Sequence, residues 1–146
     1  MEPTGFTGEY RHTIDAKGRL IVPSRLRADF PGDVIVLSVW PDGCISMWSE
    51  EGWVELRRQL LEQQSSDEDL RSVVRAIAAS AHTDQIDRQG RIGVPPKLRD
   101  FADITRDVVV VGNFNHGEIW NPDRWAPQEQ TIQPDRLKEL FNKMNL

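Results

Sequence analysis

Phe6, Gly8, Tyr10, His12 and Ile14 alternate with Thr7, Glu9, Arg11 and Thr13, and this period of two predicts a half-buried strand. A second extended run follows, in which Leu20 and Val22 share one face while Arg19 and Ile21 share the other. The same division recurs later, with Ile92 and Val94 opposed by Arg91 and Gly93. Residues 34–39 and 108–111 are β-branched runs bounded by Gly, Pro, Asp or Asn, the pattern of short core strands. Between them the spacing turns helical. Pro23 and Pro95 end strands and open short helices over residues 24–30 and 96–101, anchored by Leu26 and Leu98. Ser49 and Asn121 are N-caps by pattern, the second followed by Pro122 at the first helical position. Trp53, Leu56, Leu60 and Leu61 mark one amphipathic helix. Leu70, Val73, Val74 and Ile77 mark another, starting at Asp67 after a polar break over residues 63–68. Leu137, Leu140, Phe141 and Met144 form a last stripe after Pro134, suited either to closing the core or to meeting another subunit.

These elements come twice. Asp15, Gly18, Arg19, Pro23, Leu26, Trp48 and Trp53 recur 72 positions later as Asp87, Gly90, Arg91, Pro95, Leu98, Trp120 and Trp125. Matches at one spacing mark a duplicated unit, and two copies without a third predict a pseudo-two-fold domain rather than an open solenoid. The division predicted is residues 1–81, one repeat with its connector helices, and residues 82–146, a second repeat with a C-terminal helix. Each copy should complete the other's core. Residues 15–18 and 87–90 are tight turns by composition: aspartate bonds the backbone ahead of it and glycine supplies a positive φ. That makes Asp15, Gly18, Asp87 and Gly90 structural turn residues, and the aspartates turn-formers rather than catalytic acids.

Composition adds limits. A chain of 146 residues with 38% hydrophobic and 28% charged residues has enough apolar material for a real core. Its apolar runs, such as residues 108–111, fall far short of a membrane span, and its start is acidic rather than basic, which leads us to expect a cytoplasmic protein with no membrane partner. Cys44 is the single cysteine, so it forms no internal disulfide and is expected to be a small, half-buried residue. His12, His82 and His116 lack the close spacing of a metal cluster with it. There is no Gly-rich phosphate loop, nucleophile elbow or paired catalytic acid, so neither an enzyme nor a cofactor is expected. Four of the five tryptophans recur by symmetry beside helix starts, which favours packing over base stacking. The net charge is −5, yet residues 14–27 and 86–99 each hold four basic residues against one aspartate. Two basic islands sit on an acidic body.

Those islands carry a resemblance. FTGEYRHTIDAKGRLIVP, the second DRQGR, and VGNFNHGEIWNPDRW resemble the MraZ family of bacterial regulators over nearly the whole chain. The resemblance implies an α+β fold, a double-split β-barrel built from two internal repeats and related to the AbrB-like swapped-hairpin fold, with helices after each repeat. It also implies a ring-shaped homo-oligomer, typically an octamer, acting at the nucleoid. MraZ proteins resemble transcriptional regulators that bind tandem short repeats in double-stranded DNA upstream of the division and cell-wall gene cluster, including their own gene, usually as repressors. Arg19 and Arg91 carry over as DNA residues, with Lys17 and Arg88 beside them. Here the second copy departs: Gln89 stands where the first has Lys17.

The chemistry of the residues agrees with that implication. A planar guanidinium can bind guanine O6 and N7 together in the major groove, so Arg19 and Arg91 are candidates to read bases. Lys17, Arg88, Arg25, Arg27, Lys97 and Arg99 suit phosphates, which fix register without reading sequence. For the helix-start residues a solvated charged face is the competing explanation. A second function class stands beside DNA binding: an oligomeric protein-interaction scaffold whose basic islands serve only solubility. Salt separates the two, because phosphate-dominated binding weakens steeply with ionic strength.

Overall fold

The alternating stretch forms β1 (Glu9–Thr13), and after a tight turn the chain extends again as β2 (Arg19–Ile21), in a computed structural model that describes residues 5–63 and 67–146. The other strands of the first repeat are β3 (Val34–Val39) and β4 (Ile45–Trp48). The second repeat supplies β5 (His82–Gln85), β6 (Arg91–Gly93), β7 (Asp107–Gly112) and β8 (Gly117–Trp120). Six helices join them among the described residues: α1 (Ser24–Arg27), α2 (Glu50–Gln63), α3 (Glu68–Ser80), α4 (Pro96–Phe101), α5 (Pro122–Glu129) and α6 (Pro134–Phe141). The fold is therefore α+β with antiparallel pairing throughout.

The repeats exchange strands. Six strands form one sheet in the order β1-β7-β8-β4-β3-β5, so β1 of the first repeat pairs with β7 of the second, and β5 of the second pairs with β3 of the first. β2 and β6 form a separate two-stranded ribbon, tied to β1 by a bridge between Ile14 and Leu20. The strands make an open sheet with β1 and β5 at its edges plus that ribbon, and not one closed sheet.

Both repeats feed a single core. Ile14, Leu20, Val22, Leu26 and Phe30 pack in one cluster with their counterparts Ile86, Ile92, Val94, Leu98 and Ala102, all buried. Each large aliphatic side chain contributes about 1.5–3 kcal/mol on full burial, and half of this cluster belongs to each repeat, so neither half can bury its apolar face alone. The tryptophans seat helices on the sheet. Trp48 and Leu56 pack with Trp53 under α2, while Trp120 and Cys44 pack with Trp125 under α5. The helix starts are capped by Ser49, whose Oγ accepts from the Gly52 N–H at 3.0 Å, and by Asn121, whose Oδ1 accepts from the Asp123 N–H at 2.7 Å.

Three features differ from the sequence pattern. The helix spanning residues 24–30 by pattern stops at Arg27, because Phe30 drops into the core and Pro31 opens a separate 3-10 turn, Pro31–Asp33. On α2 and α3 only Leu56 and Ile77 are buried; Leu61, Leu70 and Val73 are exposed, leaving a groove of about 320 Å³ lined by Trp53, Leu56, Leu60, Val74 and Ile77. The polar break between these helices falls partly on residues 64–66, outside the described residues. α6 does not close the core: it meets chiefly the 3-10 turn Gln130–Ile132, and Leu137, Phe141 and Met144 remain exposed.

Candidate nucleic-acid interface

Each Asp-x-x-Gly-Arg segment closes on itself in the same way. Asp15 Oδ1 accepts from the backbone N–H of Lys17 and of Arg19, both at 2.9 Å, and the Gly18 N–H donates to the Asp15 carbonyl at 2.9 Å. Gly18 adopts φ +80°, which a side chain resists. In the second copy Asp87 Oδ1 accepts from Gln89 at 2.8 Å and Arg91 at 2.9 Å, with Gly90 at φ +79°. The other carboxylate oxygen of each aspartate accepts from the arginine's own Nε, at 3.2 Å for Arg19 and 2.9 Å for Arg91. These bonds hold the base of each guanidinium, while its two Nη groups have no partner among the described residues. The arginine side chains remain 31% and 24% exposed. The Arg19 backbone N–H holds the Asp15 carboxyl below its usual value of 3.8, and the Arg91 N–H does the same for Asp87.

Strand pairing sets the two turns side by side. β2 and β6 align Arg19 with Gly93 and Ile21 with Arg91. The Val22 N–H donates to the Gly90 carbonyl and the Val94 N–H to the Gly18 carbonyl, both at 2.8 Å, so each turn is held by the other repeat. Arg19, Ile21, Arg91 and Gly93 occupy the outer face of the ribbon, opposite the buried Leu20 and Ile92. Diagonal positions on such a ribbon lie about 7–8 Å apart, and the major groove is about 12 Å wide. Two arginine forks thus start from positions that one groove can span.

The remaining basic residues divide into two groups. Lys17 and Arg88 are exposed on the turns, and Arg25 and Lys97 are exposed on α1 and α4. Arg27 and Arg99 are half-buried and lie against the opposite repeat's turn. Arg99 Nε donates to the Val94 carbonyl at 3.0 Å, and its Nη2 is 3.2 Å from where a Cβ on Gly18 would stand. Arg27 Nη1 is 3.4 Å from the same point on Gly90, and its Nε is 3.6 Å from Asp33 Oδ1. The 72-residue spacing between Arg27 and Arg99 was the available signal for this shared position.

A family model described as "MraZ protein, putative antitoxin-like" matches the chain twice, over residues 6–76 and 77–145. The chain belongs to the MraZ family. Its relatives include the "Transcriptional regulator MraZ" of Ligilactobacillus salivarius, 45% identical over 120 residues that cover 82% of this chain and 83% of the relative. The protein of the same name from Moorella thermoacetica is 41% identical over 139 residues, 95% of this chain and 96% of the relative. That of Thermomicrobium roseum is 39% identical over 127 residues, 87% and 89% of the two chains.

This MraZ chain also holds a buried polar network away from the turns. Burial pushes the Glu118 carboxyl up, but donors outweigh it and hold it below the usual range: His116 Nε2 at 2.8 Å, Asn113 Nδ2 at 3.1 Å and Trp120 Nε1 at 3.0 Å. An ionised carboxylate accepts only, so His116 Nε2 carries the proton in that bond. The His116 ring also stacks on Trp48, with centroids 4.6 Å apart. His116, just before β8, and Glu118 and Trp120 on it fall at alternate positions, the one sequence sign of this network. Cys44 is fully buried rather than half-buried; burial, then Glu118 and Asp42, push its thiol up, so it stays neutral. Among the described residues no three His, Cys, Asp or Glu side chains group to hold a metal, and no helix is long and apolar enough to cross a membrane.

Proposed function

We propose that this MraZ chain is a sequence-specific DNA-binding transcriptional regulator whose reading surface is the β2–β6 ribbon. The observation that carries the reading is the pairing of two aspartate-braced turns of the same geometry, each holding an arginine by Nε with its Nη groups uncommitted. Arg19 and Arg91 read base edges; Lys17, Arg88, Arg25 and Lys97 meet phosphates; Arg27 and Arg99 brace the turns and add positive potential. The names of the relatives support a regulatory role. We read the open sheet and the ribbon as parts of one split barrel shared by the two repeats. We also take the target to be tandem short repeats upstream of the protein's own gene and the division and cell-wall cluster, acted on as a repressor at the nucleoid by a ring of subunits. The unpartnered stripe on α6 and the groove between α2 and α3 are the surfaces available for that assembly, and several weak readers on one ring gain affinity by effective concentration.

The test is a footprint of the full-length protein on DNA upstream of its own coding sequence, repeated across a salt series. Protected repeats are expected, with the logarithm of affinity falling by about 0.9 per decade of salt for each phosphate neutralised. Absence of protection, or binding indifferent to salt, would leave the protein-interaction scaffold as the better description.

A further inference from the structure

We propose that Ile21 reads a thymine methyl group, and that the absence of this contact at its counterpart Gly93 gives the protein a single orientation on its DNA site. The inference rests on the DNA-binding reading above and deepens it.

Ile21 is 52% exposed although it lies in a strand. One exposed aliphatic side chain is ordinary; its neighbourhood is what matters. It stands opposite Arg91 on the outer face of the ribbon, and it lines an open cleft of about 500 Å³ with His12, Arg25, Arg27 and Gln89. Base edges in the major groove offer guanine acceptors to an arginine fork and the thymine C5 methyl to an apolar group. Arg91 and Ile21 present both kinds of reader at adjacent cross-strand positions.

The other corner of the ribbon lacks the pair. Gly93, 72 residues on from Ile21, has no side chain, and its N–H donates to Asp84 Oδ2 at 2.6 Å. Asp84 in turn is the counterpart of His12, and Gln89 that of Lys17. The Ile21 corner therefore offers an aliphatic group, the His12 imidazole and the Gln89 amide, while the Gly93 corner offers a bare backbone, the Asp84 carboxylate and the Lys17 ammonium of the adjoining turn. The braced arginines are two-fold symmetric, and a symmetric reader fits a palindrome. These corners are not symmetric: the Ile21 end presents an apolar group beside uncharged Gln89, and the Gly93 end presents no side chain and a carboxylate that repels a phosphate close to it. The two orientations of the protein on a duplex are thus inequivalent, and the Ile21 end is the one that selects thymine.

The experiment selects binding sites for the full-length protein from a randomised duplex pool, then replaces each thymine of the selected duplex by deoxyuridine, which removes only the methyl group. One replacement should weaken wild-type binding about fourfold, the worth of one buried methyl, and should leave Ile21→Ala unaffected. Gly93→Ile is the converse variant. No left-handed φ constrains Gly93, and a Cβ there would meet Asp84 Oδ2 at 3.4 Å, an ordinary contact. This variant should acquire a second methyl-sensitive position in the other half-site, and circular dichroism melting confirms that each variant is folded. The proposal is overturned if Ile21→Ala retains the wild-type response to every deoxyuridine, or if Gly93→Ile selects unchanged sites. It also fails if Ile21→Ala alters assembly mass without altering site preference, which makes Ile21 a subunit contact. A wild-type protein that enriches no sequence removes the DNA-binding reading itself and this inference with it.

Discussion

Replacing Gly18 by alanine probes how the two repeats lock each other's turns. Gly18 sits at φ +80°, where an L-residue costs about 1–2 kcal/mol, part of it offset by about 0.4–1 kcal/mol from stiffening the unfolded chain. A new Cβ would also stand 3.2 Å from Arg99 Nη2 and 3.5 Å from the Val94 carbonyl oxygen, so the guanidinium must shift. That guanidinium is held by its Nε bond to the same carbonyl at 3.0 Å, and disturbing such a bond costs about 0.5–1.5 kcal/mol. Gly32→Ala separates the two effects, because Gly32 has φ +73° and nothing within 4 Å of its notional Cβ. We expect Gly32→Ala to cost about 0.5–1 kcal/mol and Gly18→Ala about 1–3 kcal/mol, roughly 2–4 °C of melting temperature per kcal/mol for a chain of this size. In an Arg99→Ala background the excess at position 18 should vanish. Calorimetry at one fixed protein concentration provides the reading, since assembly makes melting concentration-dependent. Equal costs at positions 18 and 32, or an excess that survives Arg99→Ala, would refute the interlock between α4 and the first turn.

Other outcomes follow from the same structure. Asp15 and Asp87 titrate below 3.8 when folded, so their contribution is present above the unfolded value and lost as pH falls through the lower folded one. Chemical denaturation from pH 6 downward should therefore show wild type losing its lead over Asp15→Asn/Asp87→Asn only below about pH 4; parallel curves would contradict this. Glu118→Ala strands the buried donors of His116 and Trp120 and frees the exposed Asn113, and should destabilise by about 3 kcal/mol, seen by tryptophan fluorescence in a urea titration, whereas a loss under about 1 kcal/mol would show that water replaces the carboxylate. Phe141→Glu on the exposed stripe of α6 should lower the mass measured by light scattering at micromolar concentration while leaving the circular dichroism spectrum unchanged; an unchanged mass would exclude α6 from assembly.

β1, β2, β3, β6, β7 and the two turns were legible because their signals are local, whereas β4, β5 and β8, each of four residues, were not read. Alternation gave the inward Leu20 and Val22 and the outward Arg19 and Ile21, and the aspartate and glycine of each motif dictated a turn within four residues. The strand exchange was legible only as an expectation of a shared core, since pairing β1 with β7 and β5 with β3 is a choice among partners distant in sequence. The Nε bonds from Arg19 and Arg91 to their aspartates, and the reach of Arg27 and Arg99 into the opposite turn, depend on side-chain placement that spacing does not encode. Periodicity likewise marked Leu61, Leu70 and Val73 as one apolar face with Leu56 and Ile77 without saying whether this chain covers it. The α6 stripe posed the same ambiguity, and the fold leaves it uncovered.

The role of the paired arginines is tested most directly by measuring how Arg19→Ala and Arg91→Ala bind the footprinted duplex, with Lys143→Ala as a charge-matched control in the C-terminal segment. Each ribbon variant should lose about 5- to 150-fold in affinity, the equivalent of about 1–3 kcal/mol for a base-reading fork, and should relax sequence preference at one position. Its melting should shift by no more than the exposed ion pair with Asp15 or Asp87 allows, about 0–1 kcal/mol. If either variant binds the duplex as the Lys143→Ala protein does, with the same preference and normal melting, the ribbon is not the reading surface.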